Sequence, residues 1–177
     1  MTAITNQHSS EDFEIADPDP SSLIEAFRAL GYSLATAIAD LIDNSISAGA
    51  GNIAIKFHWA GGNSYICILD DGHGMSESVL LEAMRPGSKS PLDVRSPQDL
   101  GRFGLGLKTA SFSQCRELCV VSKAVGGSLN AFTWNLDYVR KHKQWRLLRG
   151  HTPAAETCLA EFSDKPSGTA VYPVSAS

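Results

Sequence analysis

Two rhythms of apolar residues alternate along the chain after a polar start. The stretch up to Asp17-Pro18-Asp19-Pro20 is acidic and without period, so residues 1–20 read as a flexible arm ending in a breaker. Ser21 or Ser22 can cap a first helix that runs to Leu30 and stops at Gly31. Helical spacing returns over Ser33–Ser47 and ends at Ala48-Gly49-Ala50-Gly51. The period then shortens to two over Asn52–His58 and Ser64–Asp70, which predicts a hairpin turning at Ala60-Gly61-Gly62-Asn63. Asp71–Gly74 is a tight loop, and Ser76 caps a short helix over Glu77–Met84. Residues 85–106 carry Gly, Ser and Pro without period, and a stretch of that kind inside a domain is usually functional, often a lid. A helix over Leu107–Cys115 follows, then a hairpin of Glu117–Lys123 and Ser128–Trp134 around Val125-Gly126-Gly127. Three further strands are predicted at Gln144–Leu148, Glu156–Phe162 and Thr169–Val174.

Strands outnumber helices and mostly connect as hairpins, while the helices gather in the first two thirds. That predicts an α+β two-layer sandwich: one mixed, mostly antiparallel sheet covered on one face by helices. The regular strand–helix–strand order of a dinucleotide fold is absent. A length of 177 residues suits one domain, here 21–177, and an apolar content of 43% is ordinary for a globular protein.

Charge and cysteine usage remove several function classes. The net charge of -4 gives no support for nucleic-acid binding, and Arg140-Lys141-His142-Lys143 reads as a solvated turn and strand edge. The N-terminal segment lacks the apolar region of a signal peptide, and no apolar run reaches the ~18–20 residues of a membrane span. Cys67, Cys115, Cys119 and Cys158 form no C-x-x-C pair, so reduced thiols in a cytoplasmic protein are the expectation.

Candidate chemistry sits in four places. On the second helix, at about 3.6 residues per turn, Thr36, Asp40, Asp43, Asn44 and Ser47 form one stripe, with Leu34, Ile38, Leu41, Ile42 and Ser45 opposite. Taken alone, that stripe is the wet face of an amphipathic helix. It contains only short polar side chains, however, which make poor solubilisers and good ligands for metal and water. Asp70-Asp71-Gly72-His73-Gly74-Met75 closes a strand with a rigidly held carboxylate and glycines that allow close backbone approach. His73 has no partner at ligand spacing. Gly101-Arg102-Phe103-Gly104-Leu105-Gly106-Leu107-Lys108-Thr109 has the residues of a phosphate loop. Leu107 intrudes between Gly106 and Lys108, which breaks the nucleotide P-loop, and Thr109 replaces the third glycine of a dinucleotide loop. Gly168-Thr169-Ala170-Val171 opens the last strand.

In this order and spacing, the four motifs resemble the GHKL ATPase superfamily of gyrase B, heat-shock chaperones, histidine kinases and MutL. Asp40-Leu41-Ile42-Asp43-Asn44-Ser45 and the glycine loop look closest to the MutL and Microrchidia branch. The resemblance covers about Ser22 to Val174 and implies a Bergerat-type fold that binds ATP and Mg²⁺. By this resemblance Asp70 reads the adenine amino group with Thr169 behind a water, and Gly72, Gly74 and Met75 wall the base. Asn44 binds Mg²⁺. Gly101, Phe103, Gly104, Leu105 and Gly106 wrap the phosphates with Lys108, and Ser88 and Lys89 open an ATP lid at about 85–106. Asp40 stands where the family's general base is usually Glu, and Ser47 stands where close relatives usually have Asp. The carboxylate of Asp falls back by about 1 Å, a displacement that can cost about a hundredfold in rate. The implied activity is therefore slow, Mg²⁺-dependent ATP hydrolysis coupled to lid closure. A non-hydrolysing ATP switch is the alternative, and a GHKL-type protein kinase fits less well. The implied partners are ATP and ADP, together with a second copy of the chain joined through the arm or a further C-terminal domain; no membrane is implied.

Overall fold

The computed structural model describes residues 17–29, 31–61, 64–87, 106–162 and 164–174. Helix α1 spans Pro20–Arg28 and α2 spans Leu34–Ser47. Strands β1 (Ile53–His58) and β2 (Tyr65–Asp70) form the first hairpin, and α3 (Glu77–Met84) follows. Helix α4 (Gly106–Gln114) leads into β3 (Glu117–Lys123), β4 (Leu129–Asn135), α5 (Leu136–His142) and β5 (Leu148–Arg149). Helix α6 (Pro153–Phe162) and β6 (Gly168–Val174) complete the described elements.

Local chemistry explains where the helices start. Asp19 caps α1, its carboxylate accepting from the Ser22 amide at 2.9 Å with Pro20 in the first turn. The cap was expected at Ser21 or Ser22, but Pro20 needs no N–H partner in that turn and moves the start upstream. The second helix was expected from Ser33; Ser33 is instead its cap, accepting from the Thr36 amide at 3.1 Å, and the helix starts at Leu34.

Three tail predictions are corrected. Gln144–Leu148 shrinks to the two-residue β5. Glu156–Phe162 is part of α6, because Ala155, Leu159 and Phe162 recur at helical spacing and pack together on the sheet. The basic run Arg140-Lys141-His142 is the last turn of α5, where cations meet the helix's negative end, and Lys143 closes it at φ 50°. Asn135 starts that helix by accepting from the Tyr138 amide at 2.9 Å.

The sheet has the order β1-β2-β6-β3-β4-β5, and every described pairing is antiparallel. One face carries Ile68, Leu118, Val120, Phe132, Trp134 and Val171 against Ile24, Leu41, Leu80, Met84 and Phe112 of the helices. That is the expected α+β sandwich. The opposite face is also covered at its centre, where Cys67, Leu69, Cys119, Val121, Ala170 and Tyr172 meet Ala155 and Phe162 of α6. Two-sided burial explains why β3 reads as an apolar run rather than an alternation.

Side-chain bonds to backbone fix the helices around the sheet. Arg28 reaches from α1 to the Phe112 and Cys115 carbonyls at 3.0 and 3.1 Å, capping the C-terminal end of α4. The Trp134 indole donates to the Met84 carbonyl at 2.9 Å and docks α3. Cys67, Cys115 and Cys119 are buried, and burial pushes the Cys115 thiol up to about 12. Among the described residues no helix is long and apolar enough to cross a membrane.

Candidate functional site

Asp70 ends β2 with 4% of its surface exposed, so its carboxylate must be satisfied by protein. Oδ1 accepts from the Gly72 amide at 3.0 Å and the Thr169 amide at 3.1 Å. Oδ2 accepts from the Ser45 hydroxyl at 2.9 Å. A carboxylate offers about four acceptor positions. Donors among the described residues fill three, which leaves a fourth, on Oδ2.

The loop after Asp70 is packed tightly enough to require its glycines. A Cβ on Gly72 would lie 2.7 Å from the Ala48 carbonyl oxygen, and Gly74, at φ 64°, would place one 1.9 Å from the Lys123 oxygen. Gly168, at φ 142°, would place one 2.1 Å from the Asp70 oxygen. The His73 amide donates to the Ala48 carbonyl at 2.9 Å, and the Ser167 hydroxyl donates to the Gly72 carbonyl at 2.8 Å. Asp71 faces the other way. It accepts from the Gly51 and Asn52 amides and the Asn52 side chain, each at 2.8 Å, and the Asn52 bonds hold its carboxyl below the usual range.

Beneath the loop, Ser122 of β3 is fully buried and organises the neighbouring groups. Its oxygen lies 2.8 Å from the Met75 amide, 2.9 Å from the Gly168 carbonyl and 2.9 Å from the Thr169 hydroxyl. In the arrangement that satisfies all three, Ser122 accepts from Met75 and from Thr169 and donates to Gly168. The Thr169 hydroxyl proton is then committed, leaving Thr169 to act outward as an acceptor. Asp70 and Thr169 together thus present acceptors to whatever binds beside them.

One helical turn separates the other candidates, on the same helix that supplies Ser45. Asn44 is exposed and Asp40 is half-buried. The Tyr32 phenol donates to Asp40 Oδ2 at 2.6 Å, and this bond to a carboxylate pushes the phenol's pKa up. Gln114 of α4 donates in turn to the Tyr32 carbonyl.

The structure therefore brings Asp70, Gly72, Gly74, Met75 and Thr169 together at one end of β2 and β6. Ser45 links them to α2, which also carries Asp40 and Asn44. Gly106 begins α4 and Lys108 lies in its first turn. Ser88, Lys89, Gly101, Phe103, Gly104 and Leu105 lie outside the described residues, as does most of the expected lid. Sequence reasoning missed Ser45, Ser122 and Tyr32. Ser45 was assigned to the apolar side of α2, and a polar residue on a face destined for burial was itself the available signal. Ser122, a lone serine in an apolar strand, offered a weaker version of the same signal. Tyr32, just outside the helix cap, offered none.

Residues 32–169 match the sequence profile of the family described as histidine kinase-, DNA gyrase B-, and HSP90-like ATPase. The chain belongs to this ATPase family. Among its relatives is the ATPase morc-1 of Caenorhabditis elegans, 34% identical over 164 residues that cover 76% of this chain and 19% of that protein. The DNA mismatch repair protein MutL of Pelotomaculum thermopropionicum is 39% identical over 66 residues, covering 37% of this chain and 10% of MutL. MutL of Clostridium acetobutylicum is 28% identical over 148 residues, 73% of this chain and 23% of the relative. These relatives fall in the MutL and Microrchidia branch of the family, as the motifs indicated. The chain thus spans less than a quarter of the length of each of these three relatives.

Proposed function

We propose that the domain binds Mg²⁺-ATP and hydrolyses it slowly. The observation that carries this reading is the acceptor set at Asp70 and Thr169. A buried carboxylate with one open position, beside a hydroxyl whose proton is already used, suits the exocyclic amino group of adenine, which only donates. A base with a carbonyl at that position would set acceptor against acceptor. Gly72, Gly74 and Met75 would line the base.

The residues present also fit a magnesium ion. Mg²⁺ keeps several waters and takes few protein ligands beside phosphates, and the Asn44 side chain makes no described hydrogen bond, so its carbonyl is available. Bound there, the ion would neutralise charge on the phosphates. The glycine loop from Gly101 to Gly106, with Lys108 and the start of α4, would hold the phosphates through backbone N–H groups. Ser88 and Lys89 would begin a lid that closes over the nucleotide and excludes water. Asp40 is the general base, taking a proton from the attacking water at its Oδ1, which accepts no described hydrogen bond. A closed, ATP-bound domain would pair with a second copy of the chain.

A second reading follows from Asp40 itself. With a carboxylate shorter than the family's usual Glu, binding could proceed without turnover, and the domain would act as an ATP switch. Two measurements separate the readings. Mg-ATP at a hundred times its dissociation constant should stabilise the wild type by about 2.7 kcal/mol, read as a rise in Tm. That rise should vanish in Asp70→Asn. Steady-state phosphate release that is lost in both Asp40→Asn and Asn44→Ala supports hydrolysis. ATP-dependent stabilisation with no phosphate released over hours would leave only the switch.

A further inference from the structure

The general base proposed above carries a contact that the family motifs do not contain. Tyr32 lies two turns upstream of Asp40, just before the Ser33 cap, and its phenol reaches along α2 to the carboxylate. At 2.6 Å the bond is in the short range typical of a hydroxyl donating to an ionised oxygen. It engages Oδ2 alone, and Oδ1 accepts no bond among the described residues.

This asymmetry matters for an aspartate. The torsion that turns a carboxylate plane is broad and roughly two-fold, so an unheld Asp presents either oxygen over a wide range of angles. A base one methylene too short has little tolerance for that spread. The phenol removes it by committing one oxygen and fixing the plane, which leaves the other for the water. The hold is anchored from behind. Gln114 donates to the Tyr32 carbonyl from the far end of α4, the helix that begins at the last glycine of the phosphate loop.

We propose that Tyr32 is a positioning residue for hydrolysis: by holding Asp40 through Oδ2 it orients the short carboxylate so that Oδ1 can take the proton of the attacking water, and Gln114 ties that hold to α4. The proposal rests on the reading of Asp40 as the base.

The experiment measures ATP affinity and turnover for the wild type, Tyr32→Phe, Asp40→Asn and the double variant. It also follows tyrosine absorbance as the pH is raised, for the wild type and Asp40→Asn. Tyr32→Phe should lose roughly ten- to a hundredfold in kcat, with KM changed by less than about twofold. Adding it to Asp40→Asn should cost nothing further. One tyrosine that ionises late in the wild type should move back toward about 10 in Asp40→Asn. If Tyr32→Phe keeps the wild-type kcat while Asp40→Asn is inactive, the positioning role is overturned and the ATPase reading stands. If Asp40→Asn turns over like the wild type, or the wild type binds ATP without any turnover, the base assignment falls and this proposal falls with it. An unchanged tyrosine titration would show that the pair does not form in solution and would overturn the proposal whatever the rates.

Discussion

The two ends of the candidate site are built to different standards. At the Asp70 end a buried carboxylate is held by three donors from three elements, and a buried serine organises the backbone beneath it. At the Asp40 end one carboxylate is held by one phenol, and the neighbouring Asn44 is exposed with no described bond. The first end is part of the core and cannot be disturbed without disturbing the fold. The second lies on the helix surface and can change at small thermodynamic cost. On the roles proposed above, recognition of the base is thus protected by stability, whereas turnover is exposed to substitution. An aspartate in place of the family's usual glutamate is found at the end where the fold tolerates it.

The largest expected break comes from Asp70→Asn. An amide there turns one acceptor into a donor facing the Gly72 and Thr169 amides or the Ser45 hydroxyl. It should destabilise the domain by about 3 kcal/mol and abolish ATP binding, measured by urea unfolding and by calorimetric titration. Asp40→Asn should do the reverse, leaving the unfolding midpoint nearly unchanged while phosphate release falls by roughly a hundredfold or more. If both substitutions affected stability equally, the contrast between the two ends would be wrong.

Smaller changes sharpen the picture. Ser45→Ala removes a hydrogen bond to a charged group and should cost about 2 kcal/mol, with weaker ATP affinity as well. Ser122→Ala orphans the Met75 amide and the Gly168 carbonyl, and should cost about 1–2 kcal/mol without touching Asp40-dependent chemistry. Single-turnover rates at saturating ATP check the second part.

Acid should produce the gentlest effect. The Asp19, Asp71 and Asp137 carboxyls are lowered from the usual 3.8, chiefly by bonds from the Ser22 amide, the Asn52 side chain and the Arg116 guanidinium. A carboxyl depressed in the folded state binds its proton more readily when unfolded, so its contribution is present above the unfolded value and fades as pH falls through the folded one. Urea midpoints should hold from neutrality to about pH 5 and decline below about 4. Asn52→Ala should flatten that decline.

Much of this arrangement was legible in sequence where its cause was local. The glycines that stop α2 after Ser47 and the β1–β2 hairpin depend on neighbours within a few residues, and the structure agrees. The expected alternation does not appear in the burial of either strand, and β2 is buried over its last four residues on both faces. Helix α6 was misread because its apolar positions suit a strand nearly as well as a helix until the sheet face that receives them is known. The last turn of α5 was hidden because a run of cations signals solvent before it signals a helix end. For the site, the motif glycines were visible, but their packing reasons were not. Gly74 is required by a carbonyl of Lys123, far along the chain. Ser45, Ser122 and Tyr32 matter through partners that only the folded chain supplies.

The position of β6 in the sheet has a consequence for how the domain assembles. It follows every other described strand in the chain, yet lies between β2 and β3. A growing chain can form the β1–β2 hairpin early and the β3–β4 hairpin later, but the two remain separate until β6 emerges from the ribosome. That same strand carries Thr169, one of the donors to Asp70. The two halves of the sheet and the Asp70 end of the candidate site therefore become complete in one event. Until then the apolar flanks of β2 and β3 are open edges, the state in which a nascent domain is most prone to aggregate.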